Sequence, residues 1–458
     1  MNIPAPEIFK AYDIRGIVGK TLTPESVLSI GRAIGSEARD RKVAKVVVGR
    51  DGRLSGPELS QALMEGICAA GVSVIDIGMV PTPLGYFAAH HLNTGSAVLV
   101  TGSHNPPDYN GFKIMLAGET LHSAAITALR RRIVDGRLAT GAGRVEKKDV
   151  REAYLSRIVS DVKLSRRMKI VVDCGNGVAG AIAPELFRRM GCELVELFCE
   201  VDGTFPNHHP DPSKPENLKD VIRALQETDA ELGIAFDGDG DRLGVVTKDG
   251  EVVYPDRQLM LFAADVLTRN PGAQIIYDVK CSRNLARSIR HQGGKPVMWM
   301  TGHALIKAKI KETGAPLAGE MSGHTFFKER WYGFDDGLYA GARLLEIVSR
   351  WKDANWPLKH LPDAVSTPEI NLKMREGEPH ALIAELQKTA RFTDAQEIIT
   401  IDGLRVEYAD GFGLARASNT TPVVVLRFEA DSDAALKRIQ NDFRRVLRAA
   451  RPDLLLAF

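Results

Sequence analysis

Cysteine is scarce and unpatterned in this 458-residue chain: there are five, an odd number, and no two stand in a C-x-x-C spacing. That excludes a zinc ribbon or a disulfide framework as the basis of the fold. An excess of one charge is missing too. The 60 Lys and Arg are met by 58 Asp and Glu, a net charge of +2, so the chain carries no electrostatic footprint for nucleic acid or an acidic membrane surface. The basic clusters Arg130–Arg132 and Arg444–Arg451 fall in helical patterns and read as solvated faces. No apolar run is long enough to span a bilayer. The opening MNIPAPEIFKAYDIRG lacks the basic-then-apolar order of a secretion signal, so the cytoplasm is the expected compartment. What is present, 44% hydrophobic and 26% charged residues, is ordinary for a globular protein. The length implies three or four domains of about 100–150 residues each.

Two segments stand out from this background. Val98–Pro106, VLVTGSHNP, is an apolar β-branched strand running into a loop of small polar residues. It holds the Ser103 hydroxyl at the mouth of a sheet, with His104 beside it. A serine so placed is a nucleophile or phosphoryl carrier, or else part of a Gly-Ser turn closed by Pro106. Gly233–Arg242, GIAFDGDGDR, is a second apolar strand, ending in carboxylates at alternate positions, Asp237, Asp239 and Asp241. Alternate residues of an extended loop can turn toward one point, and the intervening glycines let the backbone fold tightly around it. Three hard oxygens at one point suit Mg²⁺, with a phosphate supplying a further ligand. The other reading is a solvated acidic turn. An EF-hand would need Gly and Glu where the chain has Arg242 and Lys248, so a calcium loop is excluded.

Periodicity exposes an internal repeat. Strand–helix–strand–helix–strand units are expected three times, with third strands at Ala97–Val100, Leu232–Phe236 and Pro316–Ala318. Each is followed by a hairpin, marked by Ala117-Gly118, Asp249-Gly250 and Tyr332-Gly333, and then by another helix. The fold class is α/β: three repeated mixed domains, mostly parallel with one antiparallel strand, plus a smaller C-terminal α+β domain from about Thr367. The loops after the third strands carry Ser103-His104, the three aspartates, and Glu320, Ser322 and His324. Ligands of open α/β sheets bind beyond the carboxyl ends of strands, so three loops could face one cleft. In the last domain Arg416–Pro422, RASNTTP, gathers a guanidinium, three hydroxyls and an amide with no carboxylate among them, which suits a phosphate. The His208-His209 pair lies in a proline-rich loop and is given no chemistry.

With these motifs in order, the chain resembles the α-D-phosphohexomutases, and specifically the bacterial phosphomannomutase/phosphoglucomutase group. The resemblance covers essentially the whole chain. It rests on KAYDIRG (Lys10–Gly16), TGSHNP (Thr101–Pro106), NGFK (Asn110–Lys113), DGDGDR (Asp237–Arg242), GEMSGH (319–324) and RASNTTP. It implies a phosphoserine domain over 1–148, a metal-binding domain over 149–251, a sugar-binding domain over 252–364 and a phosphate-binding domain over 365–458, around a central cleft. It implies that phosphorylated Ser103 gives its phosphoryl group to a hexose monophosphate, of glucose and/or mannose. The bisphosphorylated sugar then reverses and returns its other phosphate.

The resemblance further implies Mg²⁺ on Asp237, Asp239, Asp241 and the Ser103 phosphate, with glucose 1,6-bisphosphate or its mannose equivalent as activator. Lys113 and His324 would exchange protons, supported by Arg15, His104 and Arg242. Glu320 and Ser322 would read sugar hydroxyls. Arg416, Ser418, Asn419 and Thr420 would clamp the idle phosphate, and Tyr12, Lys280 and His303 would touch ligand in one orientation. The implied partners are small phosphosugars, with no nucleic acid, membrane or protein partner. Reorientation implies a hinge of the last domain near Asp363–Pro368.

Two rivals remain open at this point. An apolar strand followed by D-x-D also opens haloacid-dehalogenase-type phosphatases and mutases, where Asp237 would be the nucleophile. A non-catalytic phosphosugar-binding protein would need the clamp and the sugar contacts alone.

Overall fold

Short runs of β-branched residues that are apolar on both faces are stable only in a sheet covered on each side. In the computed structural model, which describes residues 3–419, 421–456 and 458, they lie in such sheets. The first repeat has the central strand Lys45–Arg50, flanked in parallel by Ser73–Met79 and Ala97–Val100. The second has Met168–Asp173 between Cys192–Leu197 and Leu232–Phe236, and the third Gln274–Asp278 between Lys295–Trp299 and Leu317–Gly319. Each repeat therefore orders its parallel strands third, first, second. The third strand then turns back as an antiparallel return: Tyr109–Leu116, Leu243–Thr247 or Thr325–Phe327.

The three candidate loops are the turns of these three hairpins. A further short return follows Ala117-Gly118 (Glu119–Thr120) and Asp249-Gly250 (Val252–Val253). After Tyr332-Gly333 it shrinks to a single bridge between Phe326 and Asp335.

The first sheet carries an addition that the repeat pattern does not contain. Strand Ile14–Ile17, from KAYDIRG, pairs antiparallel with Tyr109–Leu116 and brings Tyr12 and Arg15 to the cleft. Helix Pro24–Asp40 follows, capped by Thr23, whose hydroxyl accepts from Ser26 N (3.4 Å) while Ser26 Oγ accepts from Thr23 N (2.9 Å). The last domain is an antiparallel sheet that also holds Val365–Ser366, Ile370–Lys373 and Gly411–Ala417, covered by helices Glu378–Thr389 and Asp433–Ala450. Among the described residues no helix is long and apolar enough to cross a membrane.

One apolar core runs through the first three domains, joining Leu84 and Phe87 to Phe187, Phe236, Phe262 and Tyr339. The last domain has a core of its own around Leu404, Leu426, Phe428 and Phe443. It meets the third through a small patch, Val279 against Phe412 and Leu414, and through guanidiniums. Arg405 donates to Val279 O (2.6 Å) and Cys281 O (2.7 Å), and Arg427 to Lys280 O (2.7 Å).

Candidate active site

Ser103 sits at φ +48°, left-handed for an L-residue, and such strain persists only where surroundings over-determine it. Here they do. The guanidinium of Arg53, 1% exposed, donates to the carbonyls of Ser103 (2.9 Å), Asn105 (2.6 Å), Pro106 (2.5 Å) and Tyr109 (2.9 Å). Its Nε donates to Asp51 (3.2 Å), which also accepts from Thr101 Oγ1 (2.8 Å) and Gly102 N (3.0 Å). A Cβ on Gly102 would lie 2.1 Å from Arg53 Nε, so glycine is required there. The Ser103 hydroxyl is left 3.1 Å from Asp237 Oδ2 and 3.1 Å from His104 Nδ1.

The second hairpin turn packs directly against the first, a Cβ on Gly238 falling 2.3 Å from Ser103 O. Asp237, Asp239 and Asp241 are fully buried, and one carboxylate oxygen of each lies within 4.8 Å of the others. Asp237 Oδ1 accepts from the backbone of Asp241 (3.1 Å) and Arg242 (3.2 Å). Thr82 Oγ1 and Lys113 Nζ donate to Asp239 Oδ2 at 2.5 and 2.8 Å, and Lys113 also reaches Asp241 at 2.5 Å. Asp239 Oδ1 is buried with no partner.

Burial, then Asp239 and Asp241, push the Asp237 carboxyl well up. Burial alone would raise Asp241 too, but Lys113, His324 and Arg242 outweigh it and leave Asp241 well below the ordinary range. Burial opposes the charge on Lys113, yet Asp239 and Asp241 hold it protonated.

In the third turn Glu320 accepts from Gly302 N (2.6 Å), and its other oxygen lies 3.0 Å from His324 Nδ1. Ser322 Oγ is also 3.0 Å from that nitrogen, while His324 Nε2 lies 3.1 Å from Asp241. Burial lowers the His324 pKa, but Asp241 and Glu320 outweigh it and lift it to about 9. One imidazole thus ties the third turn to the acidic turn, and Leu243 N donating to Gly323 O (3.2 Å) closes the join.

The three turns and the last domain enclose one cavity of 1520 Å³, larger than the roughly 300–1,000 Å³ of ordinary small-molecule sites. Tyr12, Arg15, Ser103, His104, Lys113, Arg242, Lys280, His303, Glu320, Ser322, His324, Arg416, Ser418 and Asn419 all face it. The aspartate triad lies beneath its floor. Thr420 falls outside the described residues. His104 is held neutral by burial and by Arg242, and His303 by burial and by Lys307.

Arg416 departs from the sequence reading of its loop as free of carboxylate. Its Nε donates to Asp402 (3.0 Å), which is 14 residues away and delivered by the turn before Leu404–Tyr408. Lys280 is likewise paired, with Glu369 at 2.7 Å. His208, given no chemistry, bonds Asp173 at 2.9 Å and pins its own loop.

Lys280 first, against the opposing effect of burial, holds the Glu369 carboxyl down to about 2, from 4.5. A depressed carboxylate stabilises the fold fully above its unfolded pKa and loses that contribution as pH falls through the folded one. Docking of the last domain should therefore loosen between pH 4.5 and about 2. Small-angle scattering of the wild type should show this step, and Glu369→Gln should diminish it.

Sequence reading passed over Arg53 and Asp51, Thr82, and the carboxylates Glu369 and Asp402. One signal was available. Each central strand ends in an aspartate or runs directly into one, Asp51, Asp173 or Asp278, and each organises its neighbouring loop. Asp173 accepts from Gly175 N (2.8 Å), and Asp278 from Met321 N (3.1 Å) and Thr301 Oγ1 (2.9 Å).

Four family models cover the chain in order. They are phosphoglucomutase/phosphomannomutase alpha/beta/alpha domain I over residues 6–138, domain II over 152–250, domain III over 254–364, and the C-terminal domain over 369–446. The chain belongs to the phosphoglucomutase/phosphomannomutase family. It is 59% identical over 446 residues to a phosphoglucomutase of Neisseria gonorrhoeae, covering 97% of each chain. It is 58% identical over 458 residues to a phosphomannomutase/phosphoglucomutase of Pseudomonas aeruginosa, covering 100% of this chain and 98% of the relative. A crystal structure of a phosphoglucomutase/phosphomannomutase family protein from Burkholderia thailandensis superposes with a TM-score of 0.95 at 64% identity, over 99% of this chain and 100% of that one. Phosphoglucomutase/phosphomannomutase architecture thus accounts for the three hairpin turns meeting in one cavity beside a separate C-terminal domain.

Proposed function

We propose that this mutase moves a phosphoryl group between the 1- and 6-positions of a hexose monophosphate, of glucose and/or mannose, with Ser103 as carrier. The observation that carries this reading is the Ser103 hydroxyl, fixed at the cavity wall 3.1 Å from a buried carboxylate and ringed by Arg15, Lys113 and Arg242. Asp237 is a poor nucleophile in this setting. It does not line the cavity, one oxygen is taken by two backbone N–H groups, and the other faces Ser103. A binding protein would need neither the strained serine nor the acidic floor.

The donor set fits a divalent cation: three buried carboxylates at one point, with one oxygen unpartnered. Asp237, Asp239 and Asp241 would hold Mg²⁺, which when bound neutralises charge on the phosphoryl group during transfer.

The chain's own residues do the rest. Arg15 and Arg242 keep the carrier wall cationic. Lys113 and His324 are the proton carriers: one, after giving up its proton, accepts that of the attacking hydroxyl, and the other gives its proton to the departing oxygen. Glu320 accepts from sugar hydroxyls, with Ser322 beside it. Arg416, Ser418, Asn419 and Thr420 hold the phosphate at the far end. A bisphosphorylated sugar reverses inside the cavity while the last domain, hinged near Asp363–Pro368, stays closed over it.

Phosphosite mapping after incubation with Mg²⁺ and glucose 1,6-bisphosphate tests the reading. Phosphate on Ser103 is expected; phosphate on Asp237, or none on the protein, refutes the carrier. Chelation with EDTA is expected to lower turnover by roughly 10²-fold or more, with recovery on adding Mg²⁺. Asp239→Asn should show the loss without the recovery. Undiminished turnover after chelation would remove the cation site.

A further inference from the structure

Cys174 and Cys199 stand 25 residues apart in the chain, with their sulfurs 3.5 Å apart. The parallel strands Met168–Asp173 and Cys192–Leu197 bring them together. Asp173 is opposite Leu197, Cys174 N donates to Leu197 O (3.1 Å), and Asn176 N donates to Phe198 O (2.8 Å). Both thiols are free, Cys174 buried and Cys199 partly exposed. A disulfide needs the sulfurs at about 2.05 Å, so closing the 3.5 Å gap pulls on both segments that carry them. The backbone around the pair is tightly wound, with Gly175, Asn176 and Phe198 at φ +50°, +58° and +49°.

The pair lies where two segments grip the acidic turn of the active site. On one side Gly177 N donates to Cys174 O (2.7 Å) and Val178 N to Gly238 O (3.1 Å). A Cβ on Gly177 would lie 3.0 Å from Gly238 Cα. On the other side Gly238 N donates to Pro210 O (3.1 Å). The two segments are laced together by Asp202 N to Asn176 O (3.0 Å), Asn207 Nδ2 to Asn176 Oδ1 (2.8 Å) and His208 to Asp173 (2.9 Å). Gly238 is the residue between Asp237 and Asp239. Whatever draws the two segments together moves the backbone on which two of the three carboxylates stand.

We propose that Cys174 and Cys199 are a reversible, peroxide-sensitive thiol pair whose disulfide displaces the acidic turn and slows turnover. The effect on turnover rests on the mutase reading; the disulfide itself does not. Cys199 is the accessible member of the pair, so peroxide meets its sulfur first. Cys199 sulfur attacks hydrogen peroxide and breaks the O–O bond, giving a sulfenic acid and water. Cys174 sulfur then attacks the Cys199 sulfur and expels a second water. Overall, two thiols and one peroxide give one disulfide and two waters. A dithiol restores both thiols and is itself oxidised to a cyclic disulfide.

The test treats the full chain with hydrogen peroxide and reads intact mass, non-reducing peptide maps and turnover. Expected are a mass loss of two hydrogens, a Cys174–Cys199 cross-linked peptide, and a turnover drop of about tenfold reversed by dithiothreitol. Cys199→Ser should keep its basal turnover and resist the drop. Cys174→Ser should stop at a sulfenic acid that dimedone traps on Cys199. Absence of the cross-link, or an equal drop in Cys199→Ser, overturns the proposal. A cross-link with unchanged turnover overturns its regulatory half. A reduced protein that forms the cross-link but never shows mutase turnover upholds the thiol pair and refutes the functional reading instead.

Discussion

Replacing Ser103 with alanine is expected to lower mutase turnover by at least about 10³-fold, while hexose phosphate still binds. The substitution removes one oxygen and leaves the machinery that positions it. Ser103 N keeps its bond to Thr101 Oγ1 (2.8 Å) and Ser103 O its bond to Arg53 (2.9 Å). The groups proposed to hold sugar and distal phosphate lie on other turns and in the last domain. Coupled-assay kinetics should therefore show the loss in kcat, with calorimetric affinity for the monophosphate little changed. No phosphate should be recovered at position 103. Wild-type turnover in this variant would dismiss the carrier.

Arg53→Lys is expected to reduce kcat by about 10²-fold and the stability of the three-domain body by about 3 kcal/mol, at a residue that does not face the cavity. Arginine presents its donors as a rigid fork, and here the fork spans four carbonyls and a carboxylate. An ammonium is a single point with three donors, so it cannot reach the carbonyls of Ser103 and Tyr109 together while holding Asp51. Carbonyls left buried without donors account for part of the stability loss. With its brace gone, the left-handed turn at Ser103 relaxes and the hydroxyl leaves its place against Asp237. Because Arg53 acts through the serine, KM should change little and the rate of Ser103 phosphorylation should fall with kcat. An unchanged kcat with only a lowered melting temperature would make Arg53 purely structural.

Much of this site is legible in the sequence because local chemistry announces it. AVLV running into TGSHNP, and LGIAF running into DGDGDR, each place a polar turn where an apolar strand must end. Three such turns in one order imply a common cleft. The antiparallel return of each hairpin follows from chain direction, but the third-first-second strand order does not, because right-handed crossovers permit first-second-third as well.

What escaped is of two kinds. Some elements lie outside the repeat. Strand Ile14–Ile17 carries a clear local signal but has no counterpart in the other copies, whereas helix Pro24–Asp40 precedes its copy's central strand as Arg151–Asp161 and Pro255–Arg269 precede theirs. Strand Gly411–Ala417 is disguised by glycines that packing requires, since a Cβ on Gly413 would strike the Phe443 ring at 2.3 Å. The others are partnerships across the chain. Arg53 meets carbonyls some 50 residues on, Arg416 meets Asp402, and Cys174 meets Cys199. No single strand, helix or turn pattern contains both members of such a pair.

The separate core of the last domain has a consequence for how the molecule loses its structure. Guanidinium–carbonyl bonds, polar pairs such as Lys280–Glu369 and a small apolar patch join it to a body whose own core is continuous across three domains. Cooperativity in melting is carried chiefly by shared apolar burial, and chains whose domains do not share it depart from all-or-none behaviour. The free enzyme therefore has no single unfolding free energy. A phosphosugar bound as proposed, between the two bodies, would merge them into one cooperative unit, so substrate would act as mortar as well as reactant.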